Sequence, residues 1–230
     1  MKLITVAGPP SSGKTSVILK TIEALGQPAG SVGVVKFDSL TSFDHQRYDE
    51  EQIPNQTAFA GKICPDHFFV SNVEGAVEWG LKKGLSVLVT ESAGLCNRCS
   101  PYVNGILSVC VIDNLSGINT PRKIGPMLKY ADIVVVTKGD IVSQAEREVF
   151  AFNIREVNAS ATVLFVNGIT GQGAVMLARH WQDAPEIQTL RDRKLRFTMP
   201  AAICSYCTGE TRIGEIYQMG MVRRVEFDDV

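Results

Sequence analysis

The chain of 230 residues has almost no net charge: 23 Lys and Arg stand against 24 Asp and Glu, a formal balance of −1. Such a balance gives no basic footprint for nucleic acid. No apolar run approaches the roughly 20 residues of a membrane span. The opening "MKLITVAGPP" carries one Lys and a short apolar run cut by Gly-Pro-Pro. That run is shorter than the roughly 7–15 residues of a signal-peptide core. Internal repeats and low-complexity tracts are also missing. These absences predict a cytoplasmic protein, in which thiols stay reduced. The six cysteines, at 64, 96, 99, 110, 204 and 207, then become candidates for metal binding or catalysis.

What is present fits an ordinary soluble globular protein, with 45% hydrophobic and 20% charged residues. The length is enough to bury a sizeable core. Short β-rich runs alternate with helical patterns. The runs are "LITVA" (3–7), "SVGVVKF" (31–37), "SVLVTES" (86–92), "ILSVCVID" (106–113), "DIVVVTK" (132–138) and "ATVLFVN" (161–167). Apolar runs this continuous suit strands buried on both faces. Helices are expected over 14–26, 70–84, 120–130, 142–157 and 171–183. The alternation predicts an α/β fold with a mostly parallel sheet flanked by helices. The βα rhythm stops after Trp181. The expected organisation is therefore a domain over 1–183 and a Cys-containing extension over 184–230, possessing short strands or packed on the same domain.

"GPPSSGKTS" (8–16) satisfies GxxxxGK[ST] between a strand and a helix, the context that a P-loop requires. Gly8, Ser11, Ser12, Gly13 and Ser16 belong to this phosphate-binding stretch. The glycines let backbone N–H groups turn toward phosphate oxygens, and the helix N-terminus adds its positive dipole. Lys14 would reach the β- and γ-phosphates, and Thr15 would hold Mg²⁺. "TKGD" (137–140) ends a later strand. Asp140 there can accept two hydrogen bonds from guanine, a pair that adenine does not offer. Lys138 would lie along the base plane, and Thr137 stands where Asn is usual. "NGITGQG" (167–173), with Asn167 and Gly168, sits where a loop can close over the base.

By residue 140 the order of motifs resembles the nickel-inserting GTPases of hydrogenase and urease maturation, and most of all the HypB-type hydrogenase branch. The likeness covers residues 1 to about 183. "FDSLTSFD" (37–44) looks like the family's switch I, which implies that Asp38 lies near Mg²⁺. "GKICPDH" (61–67) is similar to the family's Gly-Lys-x-Cys-His segment, with Pro65 after Cys64 and the nearest histidine at His67. "ESAG" (91–94) matches the Glu-x-x-Gly of switch II. "INTPRKIGPMLKYADIVVVTKGD" (118–140) is similar nearly throughout. The resemblance implies a P-loop GTPase fold, with GTP and Mg²⁺ as ligands. It places Lys14, Asp38 and Glu91 at the reaction and lets Gly94 approach the γ-phosphate.

It also implies a transition metal, Ni²⁺ or Zn²⁺, held by Cys64, His67, Cys96 and Cys99. Thiolate and imidazole suit both ions. In this family the metal joins two subunits, so a homodimer is expected, together with a client metalloenzyme or another accessory protein. Cys204 and Cys207 form a second CxxC. They would hold a separate zinc or iron–sulfur site, join Cys96 and Cys99, or remain an unliganded pair. Two functions follow. One is a GTP-hydrolysing metallochaperone. The other is a nucleotide-sensing regulator whose cysteines hold an iron–sulfur cluster. Because Thr137 replaces Asn, an ATP-dependent enzyme is a third. Cys110 is expected to pack in the core, His45 and His180 at the surface, and Trp79 and Trp181 between helices and sheet.

Overall fold

The computed structural model describes residues 1–28, 30–94, 97–199 and 209–227. Seven strands form one sheet: β1 (Lys2–Ala7), β2 (Val32–Asp38), β3 (Asn55–Phe59), β4 (Val87–Ser92), β5 (Leu107–Asp113), β6 (Ile133–Thr137) and β7 (Thr162–Phe165). Their order is β3-β2-β4-β1-β5-β6-β7, and every neighbouring pair is parallel. The longer helices are α1 (Lys14–Leu25), α3 (Pro65–Lys82), α6 (Gln144–Val157) and α7 (Ala174–Gln182). Shorter ones are α2 (Asp44–Glu50), α4 (Thr120–Lys123) and α5 (Pro126–Lys129).

The central strands are apolar on both faces because helices cover both. Ile4, Val6, Val89 and Val111 pack with α1 and α7 on one side. Leu3, Phe37 and Leu88 pack with α3 on the other. Trp181 is fully buried, and Trp79 nearly so, each under its helix as expected. Cys110 is fully buried in β5, packed with Ala7, Tyr102 and Ile112. His45 and His180 are partly exposed.

The registers bring functional residues to one edge. Lys36 of β2 pairs with Glu91 of β4, Val6 of β1 pairs with Glu91, and Asp113 of β5 pairs with Thr137 of β6. All of these lie at the carboxyl ends of the strands, where open α/β sheets bind ligands. The sheet's order reverses beside β1, so the loop after β1 opens into the crevice there.

Several boundaries differ from the sequence reading. The polar stretch 44–59 forms α2 and the edge strand β3, neither of which the apolar periodicity indicated. The helix expected from 70 starts at Pro65, because proline is well placed in a first helical turn. The single helix expected over 120–130 is two, α4 and α5, broken ahead of Pro126, whose ring disfavours a helical residue before it. The helix expected from 171 starts at Ala174, after a turn in which Asn167 Oδ1 accepts from the N–H groups of Ile169 and Thr170.

Beyond α7 the chain runs back over the side of the sheet that α3 covers. Glu186 bridges Lys2, Leu195 bridges Val103 and Arg212 bridges Lys194, all antiparallel. Ile187, Leu190, Leu195, Met199 and Ile213 are buried in the cluster that also holds Phe68 and Phe69 of α3. Farther on, Val225 N donates to Asn72 Oδ1 at 2.9 Å. Phe227 meets Phe37 edge-on at 6.3 Å.

Candidate nucleotide and metal site

The loop between β1 and α1 is shaped by contacts that only a bare backbone permits. A Cβ on Gly8 would lie closer than 3 Å to the carbonyl oxygen of Val111. Lys14 opens α1 and is buried at its root. Its ammonium donates to the carbonyls of Gly8 at 3.0 Å and Pro9 at 2.9 Å, bent back over the loop that would cradle phosphates. Burial holds its pKa below the ordinary lysine range, against the pull of Glu91 and Asp38. The loop is pinned from the far side as well. Thr137 Oγ1 donates to the carbonyl of Ser12 at 2.7 Å, and Lys138 Nζ donates to that of Ser11 at 3.0 Å.

Beside the loop is a cavity of about 380 Å³ whose walls include Lys14, Thr15, Lys36, Asp38, Asp44 and Glu91. Glu91 is almost fully buried. Thr15 Oγ1 donates to it with 3.3 Å to each carboxylate oxygen, and the Tyr48 hydroxyl donates to its Oε2 at 3.0 Å. Lys36 Nζ stands 3.3 Å from Glu91 and 3.4 Å from Asp38, and it also pairs with Asp44. Burial would lower the Lys36 pKa, but the charges of Glu91, Asp44 and Asp38 together raise it. Asp44 is correspondingly held low: desolvation opposes this, and the Lys36 ammonium prevails. A hydroxyl and two carboxylates are hard oxygen donors of the kind that Mg²⁺ takes. The donor set therefore fits a Mg²⁺ held by Thr15, Asp38 and Glu91. Arg47, one turn into α2, donates to Ser16 Oγ at 3.1 Å across the same opening.

A second cavity, of about 360 Å³, lies at the ends of β6 and β7. It is lined by Gly139, Asp140, Arg147, Phe165 and Asn167. Asp140 is exposed there, and Gly168 sits against Ser16. The residues read from the sequence as phosphate-binding and base-binding thus share one edge of the sheet, on either side of the loop.

Gly94 has a left-handed backbone, with φ of 51°. A Cβ there would be 2.5 Å from the Gly8 carbonyl oxygen. The glycine is thus required by contact with the phosphate loop itself, which ties the segment after β4 to that loop.

The first turn of α3 carries the remaining chemistry. Cys64 caps the helix, Asp66 is fully buried and His67 nearly so. Ser92 Oγ donates to Asp66 Oδ1 at 3.2 Å, joining α3 to the end of β4. Burial pushes the Asp66 carboxyl up to about 6, opposed by Ser92 and by the charge of Lys14. His67 Nε2 stands 2.8 Å from Glu210 Oε1, although neither ring nitrogen meets hydrogen-bond geometry among the described residues. Cys99 is buried beside Val103 in the same cluster as α3. Cys96, Cys204 and Cys207 lie outside the described residues. Among the described residues, no three of the His, Cys, Asp and Glu side chains are placed as a metal-ligand group. Cys110 is apart from this chemistry: burial pushes its thiol up to about 12.

Sequence reading missed Lys36, Arg47, Tyr48, Asp66 and Glu210. Only Lys36 left a signal, as a lysine inside the apolar strand run "VGVVKFD". The others depend on which distant element faces the site.

Residues 2–165 match the family model described as "CobW/HypB/UreG, nucleotide-binding domain". The chain is 46% identical over 226 residues to an uncharacterized protein of Methanocaldococcus jannaschii, covering 98% of this chain and 97% of that one. It is 26% identical over 191 residues to the urease accessory protein UreG of Haloquadratum walsbyi, covering 74% and 89%. The crystal structure of HypB from Helicobacter pylori in complex with nickel is similar in fold. Its TM-score is 0.62 at 17% identity, covering 80% of this chain and 86% of that one.

Proposed function

Because the chain belongs to the CobW/HypB/UreG family of nucleotide-binding domains, we propose that it is a GTP-hydrolysing metallochaperone. The observation that carries this reading is a junction. The buried Asp66–Ser92 contact joins the Cys64–His67 turn to the strand end that bears Glu91 and leads to Gly94. A change felt at the phosphate loop is thereby adjacent to thiol and imidazole ligands.

In this reading Lys14 leaves the carbonyls of Gly8 and Pro9 and turns to the β- and γ-phosphates. Thr15, Asp38 and Glu91 would hold Mg²⁺, which would supply neutralisation of the charge on the phosphate oxygens. Asp38 and Glu91 between them orient the attacking water. Gly94 N–H faces the γ-phosphate, so loss of that phosphate releases the segment running to Cys99. Asp140 selects guanine, while Thr137 secures the loop in place of the usual Asn. Cys64, His67, Cys96 and Cys99 are the proposed ligands for Ni²⁺ or Zn²⁺, with Cys204 and Cys207 able to complete a thiolate site. The protein would act as a homodimer and deliver its metal to a client enzyme.

Titration of a fluorescent guanine nucleotide, with GTP and ATP as competitors, tests the first half. GTP should displace it and ATP should not. Lys14→Ala should abolish binding, and Asp140→Asn should weaken GTP at least about tenfold by removing a two-bond acceptor. Equal competition by ATP would refute the guanine assignment.

A further inference from the structure

The site contains a cation of its own. Lys36 projects from near the carboxyl end of β2 with its ammonium almost wholly buried, facing Asp38, Asp44 and Glu91. These carboxylates come from three separate elements: the end of β2, the start of α2 and the end of β4. Three carboxylates brought this close would repel one another strongly if nothing offset them. Burying them unpaired would be costlier still. Glu91 Oε1 is shared, at 3.3 Å from the Lys36 ammonium and 3.3 Å from the Thr15 hydroxyl. The lysine therefore sits on the carboxylates that the phosphate loop's own Mg²⁺ ligand also touches. An ammonium has no lone pair and cannot join a metal's ligand shell. Its charge also repels a divalent ion a few ångströms away. The same carboxylates cannot serve both cations fully.

Taking as given the Mg²⁺·GTP reading above, we propose that Lys36 is a tethered cation that holds Asp38, Asp44 and Glu91 in place, and that Mg²⁺ must displace its ammonium to bind. Lys36 is then a positioning residue with two effects. It keeps the acidic cluster folded without metal, and it sets how much Mg²⁺ the nucleotide needs. Displacement frees Asp44 at the start of α2, the helix that also places Arg47 on Ser16 and Tyr48 on Glu91. Arrival of the divalent ion is thereby communicated to α2.

The test measures binding of a fluorescent guanine nucleotide to the full chain as Mg²⁺ is raised from EDTA conditions. In Lys36→Met, half-saturation should need at least about tenfold less Mg²⁺ than in the unaltered chain, since a like charge and a competitor are both removed. Lys36→Arg keeps the charge and should stay within about threefold of the unaltered chain. A structural role without competition would leave the Mg²⁺ requirement of Lys36→Met unchanged or raise it, and either result overturns the proposal.

Should Lys36→Met fail to fold, acylation of the unaltered protein decides, read as modification of the Lys36 peptide by mass spectrometry. Modification should rise several-fold on adding Mg²⁺·GDP, or Mg²⁺ by itself at high concentration, relative to EDTA. Equal modification in all conditions overturns it. Failure of the underlying reading looks different: no guanine nucleotide would bind at any Mg²⁺ level. Acylation with Mg²⁺ by itself would still show whether the divalent ion displaces the Lys36 ammonium.

Discussion

Gly94 shows how little room the site leaves at a single residue. Its left-handed backbone and the 2.5 Å that a Cβ would leave to the Gly8 carbonyl act together. Gly84 has a similar φ of 69°, but nothing lies within 4 Å of its would-be Cβ. Gly84→Ala should therefore cost only the backbone strain, about 1 kcal/mol. Gly94→Ala should cost about 2–4 kcal/mol and weaken GTP binding as well, because Gly8 must shift. Urea unfolding of the two variants with parallel GTP titrations checks this. Equal destabilisation of the two, with GTP affinity intact in both, would show that the Gly94–Gly8 contact carries no function.

Among elements, β6 is joined to the phosphate loop through a buried side chain. Thr137 Oγ1, buried, holds Ser12 O at 2.7 Å. Thr137→Val keeps the shape and removes the donor, leaving a buried carbonyl unsatisfied at a cost of about 1–3 kcal/mol. Nucleotide affinity should fall with it. Thr137→Ser should restore both, as read by thermal unfolding and nucleotide titration. Wild-type stability in Thr137→Val would mean that the loop is held by other contacts.

How far these elements could be read from sequence depended on what covers them. β1, β4, β5 and β6 are buried on both faces, so their unbroken apolar runs marked them. The loop motif marked the start of α1 at Lys14 for the same local reason. β3 is an edge strand and α2 buries mainly Tyr48, so neither carries a periodic apolar signal. Apart from Asp38, two residues from Lys36, the partners of Lys36, Asp66 and Glu210 stand 8 to 143 residues away in the chain. No local pattern encodes such pairings. Lys14 and Thr15 stand out through the loop motif and Glu91 through the switch II resemblance, and the structure brings the three to one cavity; His67 stands out as a residue, but its neighbour Glu210 does not.

At the scale of the whole molecule, the sheet's carboxyl edge brings nucleotide chemistry and candidate thiol ligands within one contact of each other. Asp66 of α3 touches Ser92 of β4, and the chain from 184 onward folds back to bring Glu210 onto His67. The second CxxC, Cys204–Cys207, lies outside the described residues. The linkage is reciprocal: if GTP alters metal affinity, metal alters GTP affinity by the same factor.

The most direct measurement is the affinity of the anaerobically purified protein for Zn²⁺ and Ni²⁺ with a non-hydrolysable GTP analogue, with GDP and with no nucleotide. A linked site predicts affinities that differ by about 5–150-fold between the GTP-analogue and GDP states. They should collapse together in Cys96→Ala/Cys99→Ala, which still binds GTP. Equal metal affinity in all three nucleotide states would contradict the account.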